Sequence, residues 1–174
     1  ACMNTNPVMI YFGQELGEKG MDEEGFSGRD GRTTIFDYWT VDTIRRWRSG
    51  GKFDGKMLTK EEKKLQGFYS TLLNLCNKEK AICEGVFFDL TYANLEGIIF
   101  NEHRQYAFFR KAGKDLLFII VNFDEKPAAP CVKIPTHAFD YLGIPFKDSY
   151  KAKDLLTGNT ETLIMAPDQC TKIL

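Results

Sequence analysis

The feature that most constrains this sequence is an apolar run at 7–12, Pro-Val-Met-Ile-Tyr-Phe, which stops abruptly at Gly13. A polar, glycine-rich segment follows, and it ends at 30–39 in aspartates, an arginine and aromatic residues. A short, continuous run of β-forming residues that ends at glycine is typical of a buried parallel strand, which presents functional side chains after its C-terminal end. Because such a strand needs neighbours in a sheet that is covered on both faces, we expect most of that sheet to lie upstream of this sequence.

The composition excludes some classes of partner for the chain as a whole. The 174 residues are 43% hydrophobic and 13% aromatic, which is typical of a globular protein. The 23 basic and 24 acidic residues leave a net charge of −1, so nothing attracts the whole chain to nucleic acid or to an anionic membrane. No apolar run approaches the roughly 20 residues of a membrane-spanning helix. We therefore expect neither a nucleic-acid partner nor a membrane partner.

Two helices are predicted in the first half of the chain. One is short and covers 42–48. The other starts at Thr59, where Thr59 and Glu62 have the spacing of a capping box, in which the hydroxyl and the carboxylate each accept a free backbone N–H. Its apolar residues recur at helical spacing and form one stripe: Leu65, Phe68, Tyr69, Leu72, Leu73 and Cys76. The stripe needs a surface that covers it, because burying each large side chain is worth on the order of 1.5–3 kcal/mol.

From Gly85 onward the hydrophobic pattern changes to a period of two, which predicts β-strands. The predicted strands are 86–90, 105–110, 116–123, 131–134, 150–156, 162–165 and 170–174. The second and third of them are joined by a short link that contains glycine, and they form the most secure hairpin. A helical turn is predicted at 136–142. Short strands that follow one another with few helices between them indicate an antiparallel sandwich.

These residues together resemble the C-terminal portion of the α-amylase family, glycoside hydrolase family 13. The segment 7–17 is similar to the family's eighth barrel strand, where a Pro-x-x-Tyr-Tyr/Phe-Gly-x-Glu pattern is usual, and 30–39 looks like the following loop in a bacterial, Bacteroides-like subset. The helix that starts at Thr59 is similar to the barrel's closing helix. The resemblance implies an α+β chain. In it, 1–83 is the last βα unit of a (β/α)8 barrel and 84–174 is an all-β antiparallel sandwich.

The resemblance also implies a function for the parent protein, which would be a retaining glycosidase acting on α-linked glucans such as starch or maltooligosaccharides. The family's chemistry uses three carboxylates in motifs that follow barrel strands four, five and seven, and this sequence contains none of those motifs. We therefore assign no catalytic residue and expect the chain alone to be inactive. Its implied partners are an α-glucan, bound through the parent enzyme, and either the missing N-terminal barrel or a second copy of the chain.

Six residues are candidates for contact with the glucan. Barrel enzymes place their sites at the C-terminal face of the strands, so the loop after 7–12 is expected to line the substrate cleft. The candidates are Gln14, Glu15, Arg29, Arg32, Tyr38 and Trp39, since amides and guanidinium groups bind hydroxyls and aromatic faces stack on sugar rings. Glu15 could also pair with Asp30 or Asp37 as two carboxyls about 5–5.5 Å apart. The favoured alternative is that Glu15 is held in structural hydrogen bonds or ion pairs.

Metal binding is weakly indicated. Asp22, Glu23, Glu24 and Asp30 could surround calcium, but their spacing matches no EF-hand, and a solvated acidic loop is favoured. The two histidines are isolated, which argues against zinc. We therefore expect no cofactor, although the resemblance allows calcium in the parent enzyme. The five cysteines are odd in number and scattered, which favours reduced thiols over a disulfide framework.

Two other functions remain open at this point. The chain could be a non-catalytic carbohydrate-binding module that uses exposed aromatic residues of the sandwich, such as Tyr92 or Tyr150. It could also be a structural domain whose apolar helix face and unpaired strand at 7–12 bind another polypeptide.

Overall fold

The computed structural model of the protein describes residues 2–18, 41–95 and 99–172. It contains both helices and antiparallel sheets, which confirms the predicted α+β class. The chain divides into two compact units, one formed by Ala1–Cys2 and Asn6–Asn74 and the other by Met3–Thr5 and Leu75–Leu174. The predicted assignment of 1–83 to a barrel and 84–174 to a sandwich stays a prediction.

The N-terminal unit contains the two predicted helices. Helix α1 covers Asp42–Arg48, and α2 covers Lys60–Lys78. The last four residues of α2, from Leu75, are assigned to the second unit. The predicted capping box is formed at the start of α2. The backbone N–H of Thr59 donates to Glu62 Oε2 at 2.8 Å, and the N–H of Glu62 donates to Thr59 Oγ1 at 3.2 Å.

The predicted strand at 7–12 is not formed in this structure. Residues 7–11 have no regular secondary structure, and 12–13 form a turn. The physical reason is that an extended segment is stable in a sheet when adjacent strands accept its backbone hydrogen bonds. None of the described strands pairs with this segment.

The C-terminal unit contains the strands that the sequence predicted. They are β1 Val86–Asp89, β2 Gln105–Ala112, β3 Asp115–Asn122, β4 Cys131–Lys133, β5 Tyr150–Lys153, β6 Thr160–Leu163 and β7 Cys170–Lys172. In the described part of the chain they form three antiparallel sheets, ordered β1-β2-β3, β4-β7 and β5-β6. Helix α3 covers Lys80–Cys83 before β1. Helix α4 covers Thr136–Leu142, where a helical turn was predicted.

The β2–β3 hairpin is confirmed. Ala112 and Asp115 are the last pair of the ladder, so two residues form the turn. Gly113 has φ +58°, a left-handed conformation that suits glycine and the tight turns of two-residue hairpins. The register aligns Phe109 with Phe118, and their ring centroids lie 4.9 Å apart.

One hydrophobic core joins the β1-β2-β3 sheet to β4, α4 and the β5-β6 hairpin. Its buried members are Leu90, Phe100, Ala107, Phe109, Val132, Ile134, Ala138, Phe139, Leu142, Ile144 and Met165. Side chains of β3, β5 and β6 pack against this cluster and are partly buried. Ala107 and Phe109 on β2 therefore lie in the core. Phe108 and Arg110 are also buried, so exposure does not alternate along this strand as the period of two predicted.

Arg110 is a buried charge on β2, next to the core residue Phe109. Its side chain is 2% exposed, and it donates to the carbonyl oxygens of Ala81 at 3.1 Å and Ile82 at 2.5 Å. These carbonyls lie in α3, so the guanidinium satisfies polar groups near the end of that helix. Burial lowers the pKa of Arg110, because desolvation disfavours its charged form.

A disulfide bond between Cys131 and Cys170 corrects the expectation of reduced cysteines. The two cysteines lie on β4 and β7, which pair in one sheet, and their Cα atoms are 5.4 Å apart. They are separated by 39 residues in sequence. Their proximity therefore results from strand pairing, which the spacing of the cysteines did not reveal.

Candidate functional site

The turn at 13–18, which we call the glycine turn, carries two of the predicted site residues. A 3-10 helix, Gln14–Leu16, lies between Gly13 with φ +71° and Gly17 with φ +77°. The carbonyl of Gly13 accepts the N–H groups of Leu16 at 2.9 Å and Glu18 at 3.0 Å. A Cβ atom at position 13 would lie 2.7 Å from Glu18 Cβ. The turn therefore requires glycine at position 13 for both its backbone conformation and its close packing.

Gln14 is exposed but held in position by two hydrogen bonds. Its Nε2 donates to the hydroxyl of Tyr69 on α2 at 2.9 Å, and its Oε1 accepts the N–H of Tyr11 at 3.2 Å. The side chain therefore links the glycine turn to α2. Glu15 is half-buried in the same turn. Contact of these two residues with a sugar stays a prediction.

The other four predicted site residues, Arg29, Arg32, Tyr38 and Trp39, lie outside the described residues, as do the calcium candidates at 22–24 and 30. The structure therefore brings Gln14 and Glu15 together and bears on no other member of the predicted site. Within 2–18, 41–95 and 99–172, no group of three or more His, Cys, Asp or Glu side chains could hold a metal ion. In the same ranges, no helix has the length and apolar character needed to cross a membrane.

Glu18 also has a positioning role that the sequence did not reveal. Its carboxylate accepts a hydrogen bond from the hydroxyl of Thr43 in α1. This contact joins the glycine turn to α1, as Gln14 joins it to α2. The sequence offers no local signal for it, because the two residues are 25 positions apart.

Arg46 and Glu62 form an ion pair that fixes α1 against the start of α2. Arg46 Nε lies 3.0 Å from Glu62 Oε1 and 3.1 Å from Oε2, and the Arg46 Nη2 group donates to the same carboxylate. The hydrogen bond from Arg46 lowers the pKa of Glu62, and the cap bond from the Thr59 N–H adds to this effect. The bond to Glu62 likewise raises the pKa of Arg46. One buried carboxylate therefore acts as helix cap and ion-pair partner at once.

The C-terminal unit contains a second candidate site, an open cleft of about 630 Å³ that we call the aromatic cleft. It is lined by Phe87, Phe88, Asp89, Tyr92, His137, Asp140 and Tyr141. The first three residues belong to β1, Tyr92 lies in the 3-10 helix Thr91–Asn94, and the last three lie on α4. Its size falls within the roughly 300–1,000 Å³ that is usual for small-molecule sites.

The rings of the aromatic cleft contact one another. The ring centroid of Phe88 lies 5.5 Å from that of His137, 5.8 Å from that of Tyr141 and 6.4 Å from that of Tyr92. The interplanar angles of these pairs are between 43° and 57°. Tyr92 and His137 are also joined directly, with 2.5 Å between the phenolic oxygen and Nε2. The rings therefore form one continuous tilted surface.

The polar groups of the aromatic cleft are two carboxylates, two phenols and an imidazole. Asp89 Oδ1 accepts the N–H of Thr91 at 2.8 Å. Burial raises the pKa of Tyr92, and the negative charge of Asp89 raises it further. The phenol is therefore protonated at neutral pH, and it shares a hydrogen bond with His137. Asp140 is exposed on α4 and adds a second carboxylate.

The sequence identified part of this cleft. Tyr92 was predicted to be exposed, and it is 47% exposed. Tyr150 was also predicted to be exposed, but it is half-buried. Its hydroxyl donates to the Pro145 carbonyl at 2.5 Å, and its ring packs against the core. His137 and Tyr141 were missed, although their i, i+4 spacing in the predicted helical turn places both on one face of α4.

No protein-family model matches this sequence, and no curated protein gives a significant match. The assignment of a function therefore depends on the residues and on the geometry described above.

Proposed function

We propose that this chain is the C-terminal portion of an α-amylase-like glycoside hydrolase that acts on α-linked glucans. In this proposal 1–83 completes a (β/α)8 barrel, and 84–174 is its antiparallel β-sandwich. The sequence patterns at 7–17 and 30–39 support the family assignment. The catalytic carboxylates then belong to a part of the enzyme outside this sequence, and the chain contributes one wall of the substrate cleft.

The observation that carries the proposal is the incomplete burial of the N-terminal unit. Among its described residues, Leu16 and Leu58 are the hydrophobic side chains that are fully buried. The apolar stripe of α2 is half-buried at Leu65 and Tyr69, and Phe68 is 49% exposed. Because each large side chain gains on the order of 1.5–3 kcal/mol on burial, the stripe favours an additional surface that covers it. The remaining strands and helices of a barrel would supply that surface.

The apolar run at 7–12 supports the same conclusion. Met9 is 79% exposed, and Val8 and Phe12 are 39% and 38% exposed, although the run is rich in residues that favour buried strands. The run is not part of any sheet that the described strands form. In an assembled barrel this segment would lie between two parallel strands, which would satisfy its backbone and bury its side chains.

The glycine turn gives the proposal its candidate contact residues. It follows the apolar run directly, which is where a barrel strand delivers side chains to the substrate face. Gln14 projects an exposed amide from this turn and is fixed by Tyr69 and by the Tyr11 N–H. A fixed amide is suited to binding sugar hydroxyls, because little side-chain entropy remains to be lost on binding.

The proposal is tested by comparing the isolated chain with the protein from which it derives. An antibody raised against the chain should recover, from the cells that produce it, a protein that releases reducing ends from maltoheptaose. The isolated chain should release none. Hydrolysis of maltoheptaose by the isolated chain, purified free of host amylases, would contradict the proposal. So would a recovered protein that is folded but inactive on every α-glucan.

The role of Gln14 is tested in the same recovered protein, produced with substitutions. We expect Gln14→Ala to lower kcat/KM by up to about tenfold, since one hydrogen bond contributes roughly 0.5–1.5 kcal/mol. Gln169→Ala is the matched control, because Gln169 is also exposed but lies in the C-terminal unit. Tyr69→Phe removes the group that positions Gln14 and should have a smaller effect. If Gln14→Ala and Gln169→Ala lowered kcat/KM equally, Gln14 would not be a substrate-contact residue.

A further inference from the structure

We propose that the aromatic cleft of the C-terminal unit binds a sugar ring of an α-glucan chain as a second, non-catalytic site. The rings of Phe88, Tyr92 and Tyr141 line it, and so do the carboxylates of Asp89 and Asp140. The choice of an α-linked glucan rests on the proposed function. The choice of a neutral sugar rests on the cleft itself.

The shape of the cleft suits a pyranose ring. One face of a pyranose carries C–H groups, which pack favourably on the electron-rich face of an aromatic ring. Tyr92 and Tyr141 are 47% and 66% exposed, so their rings are open to a ligand. Exposed aromatic surface that is concentrated at one place, rather than scattered, marks an interaction site. The cleft is also broadly open to solvent, which lets a polymer chain extend beyond it.

The polar groups suit sugar hydroxyls. A hydroxyl both donates and accepts, and the cleft offers carboxylate acceptors together with the phenol and imidazole of Tyr92 and His137. The two carboxylates, Asp89 and Asp140, disfavour phosphate, sulfate and nucleic acid by charge repulsion. A neutral polyol is the class that this combination of acceptors and apolar rings can bind.

The arrangement of the rings argues against a small cation as the ligand. A cation is bound when several aromatic faces surround it within about 6 Å of their centroids. Here the rings are tilted against each other and in mutual contact, so they form a shallow platform and do not surround a cation as an aromatic cage does. Because carboxylates are nonetheless present, a cation is included as an outcome of the experiment.

The cleft is also preformed. The buried side chain of Asn94 donates to the carbonyls of Leu90 at 2.7 Å and Lys133 at 2.9 Å, and it accepts the Lys133 N–H at 2.7 Å. The two bonds to Lys133 fix the 3-10 helix that carries Tyr92 to β4, and the bond to Leu90 holds the start of that helix. A rigid site loses little conformational freedom when it binds, which favours affinity.

The experiment is calorimetric titration of the full chain with maltoheptaose, with cellohexaose and with tetramethylammonium. We expect saturable binding of maltoheptaose. Tyr92→Ala and Tyr141→Ala should each raise its Kd by about two- to tenfold, as expected for the loss of one stacking contact. Phe123→Ala is the matched control and should leave Kd unchanged, because Phe123 is 71% exposed in the same unit but lies outside the cleft. Tyr92→Phe keeps the ring and should raise Kd less than Tyr92→Ala.

Several results would overturn the proposal. They are absence of maltoheptaose binding, binding that both tyrosine-to-alanine variants leave unchanged, and saturable binding of tetramethylammonium in place of the sugar. The Tyr141→Ala variant is expected to fold normally, because Tyr141 is exposed and is not part of the core. A loss of binding in this variant therefore reports on the cleft. Binding of cellohexaose instead of maltoheptaose would refute the α-glucan assignment. This experiment is independent of the test of the proposed function, because hydrolysis by the isolated chain would overturn that function and leave the cleft's binding unaffected.

Discussion

Replacing Glu62 should destabilise the N-terminal unit far more than replacing Glu61, its neighbour in sequence. Glu62 is 8% exposed, and its carboxylate accepts the Thr59 N–H and the guanidinium of Arg46. Glu61 is exposed in the same turn of α2. Because both positions have the same helix propensity when changed to alanine, the difference between the two variants isolates the hydrogen bonds.

The expected magnitude follows from the two functions of this carboxylate. Loss of a helix cap costs about 0.5–2 kcal/mol. Loss of hydrogen bonds to a charged group adds about 1.5–3 kcal/mol, since Arg46 is left without this partner. Because the two contributions overlap, we expect Glu62→Ala to lower the free energy of unfolding by about 2–4 kcal/mol and Glu61→Ala by at most about 0.5 kcal/mol. Glu62→Gln keeps an oxygen that can cap, so its cost should lie between these values.

The pH dependence gives an independent check. The folded state lowers the pKa of Glu62, so the contribution of the ionised carboxylate is fully present above its unfolded pKa of about 4.3. This contribution is lost as the pH falls through the lowered pKa of the folded state. The stability difference between wild type and Glu62→Gln should therefore be largest near pH 7 and shrink below about pH 4.

Urea unfolding followed by far-ultraviolet circular dichroism measures these differences. A loss of about 2–4 kcal/mol corresponds to a shift in the urea midpoint on the order of 1–2 M. Equal midpoints for Glu62→Ala and Glu61→Ala would refute the assigned role of Glu62. A difference between wild type and Glu62→Gln that stays constant down to about pH 3 would refute the role of its charge.

Three further changes test the glycine turn, the disulfide and the buried amide. Gly13→Ala should lower the free energy of unfolding more than Gly158→Ala. Both glycines have positive φ, but of the two only Gly13 has neighbouring atoms within 4 Å of an added Cβ. Equal urea midpoints for the two variants would contradict this prediction. The double change of Cys131 and Cys170 to serine should lower the stability of the C-terminal unit by up to about 4 kcal/mol, the loop-closure estimate for 39 residues, and unchanged calorimetric melting would exclude the bond. Asn94→Asp removes two amide donors and should cost about 2–4 kcal/mol near pH 7, with a smaller loss in acid, where a protonated carboxyl can donate again. Loss that is independent of pH would contradict that explanation.

The sequence by itself determined the local elements of this protein. The capping box at Thr59 and Glu62 set the start of α2, because its two hydrogen bonds join residues three positions apart. The period of two and the glycine at 113 likewise predicted the β2–β3 hairpin, whose strands are adjacent in sequence. Such signals depend on neighbouring residues, so they can be read without knowledge of the tertiary structure.

The tertiary structure decided what depends on distant residues. The pairing of β4 with β7 brought Cys131 to Cys170, and packing of α4 beside β1 completed the aromatic cleft around Tyr92. The apolar run at 7–12 had the composition of a strand, but it joins none of the sheets that the described strands form. A β-segment takes its conformation from the strands that accept its hydrogen bonds, and a cleft takes its shape from elements far apart in sequence. Local propensity therefore identified the helices and strands, and non-local contacts determined which strands paired and which side chains formed the disulfide and the cleft.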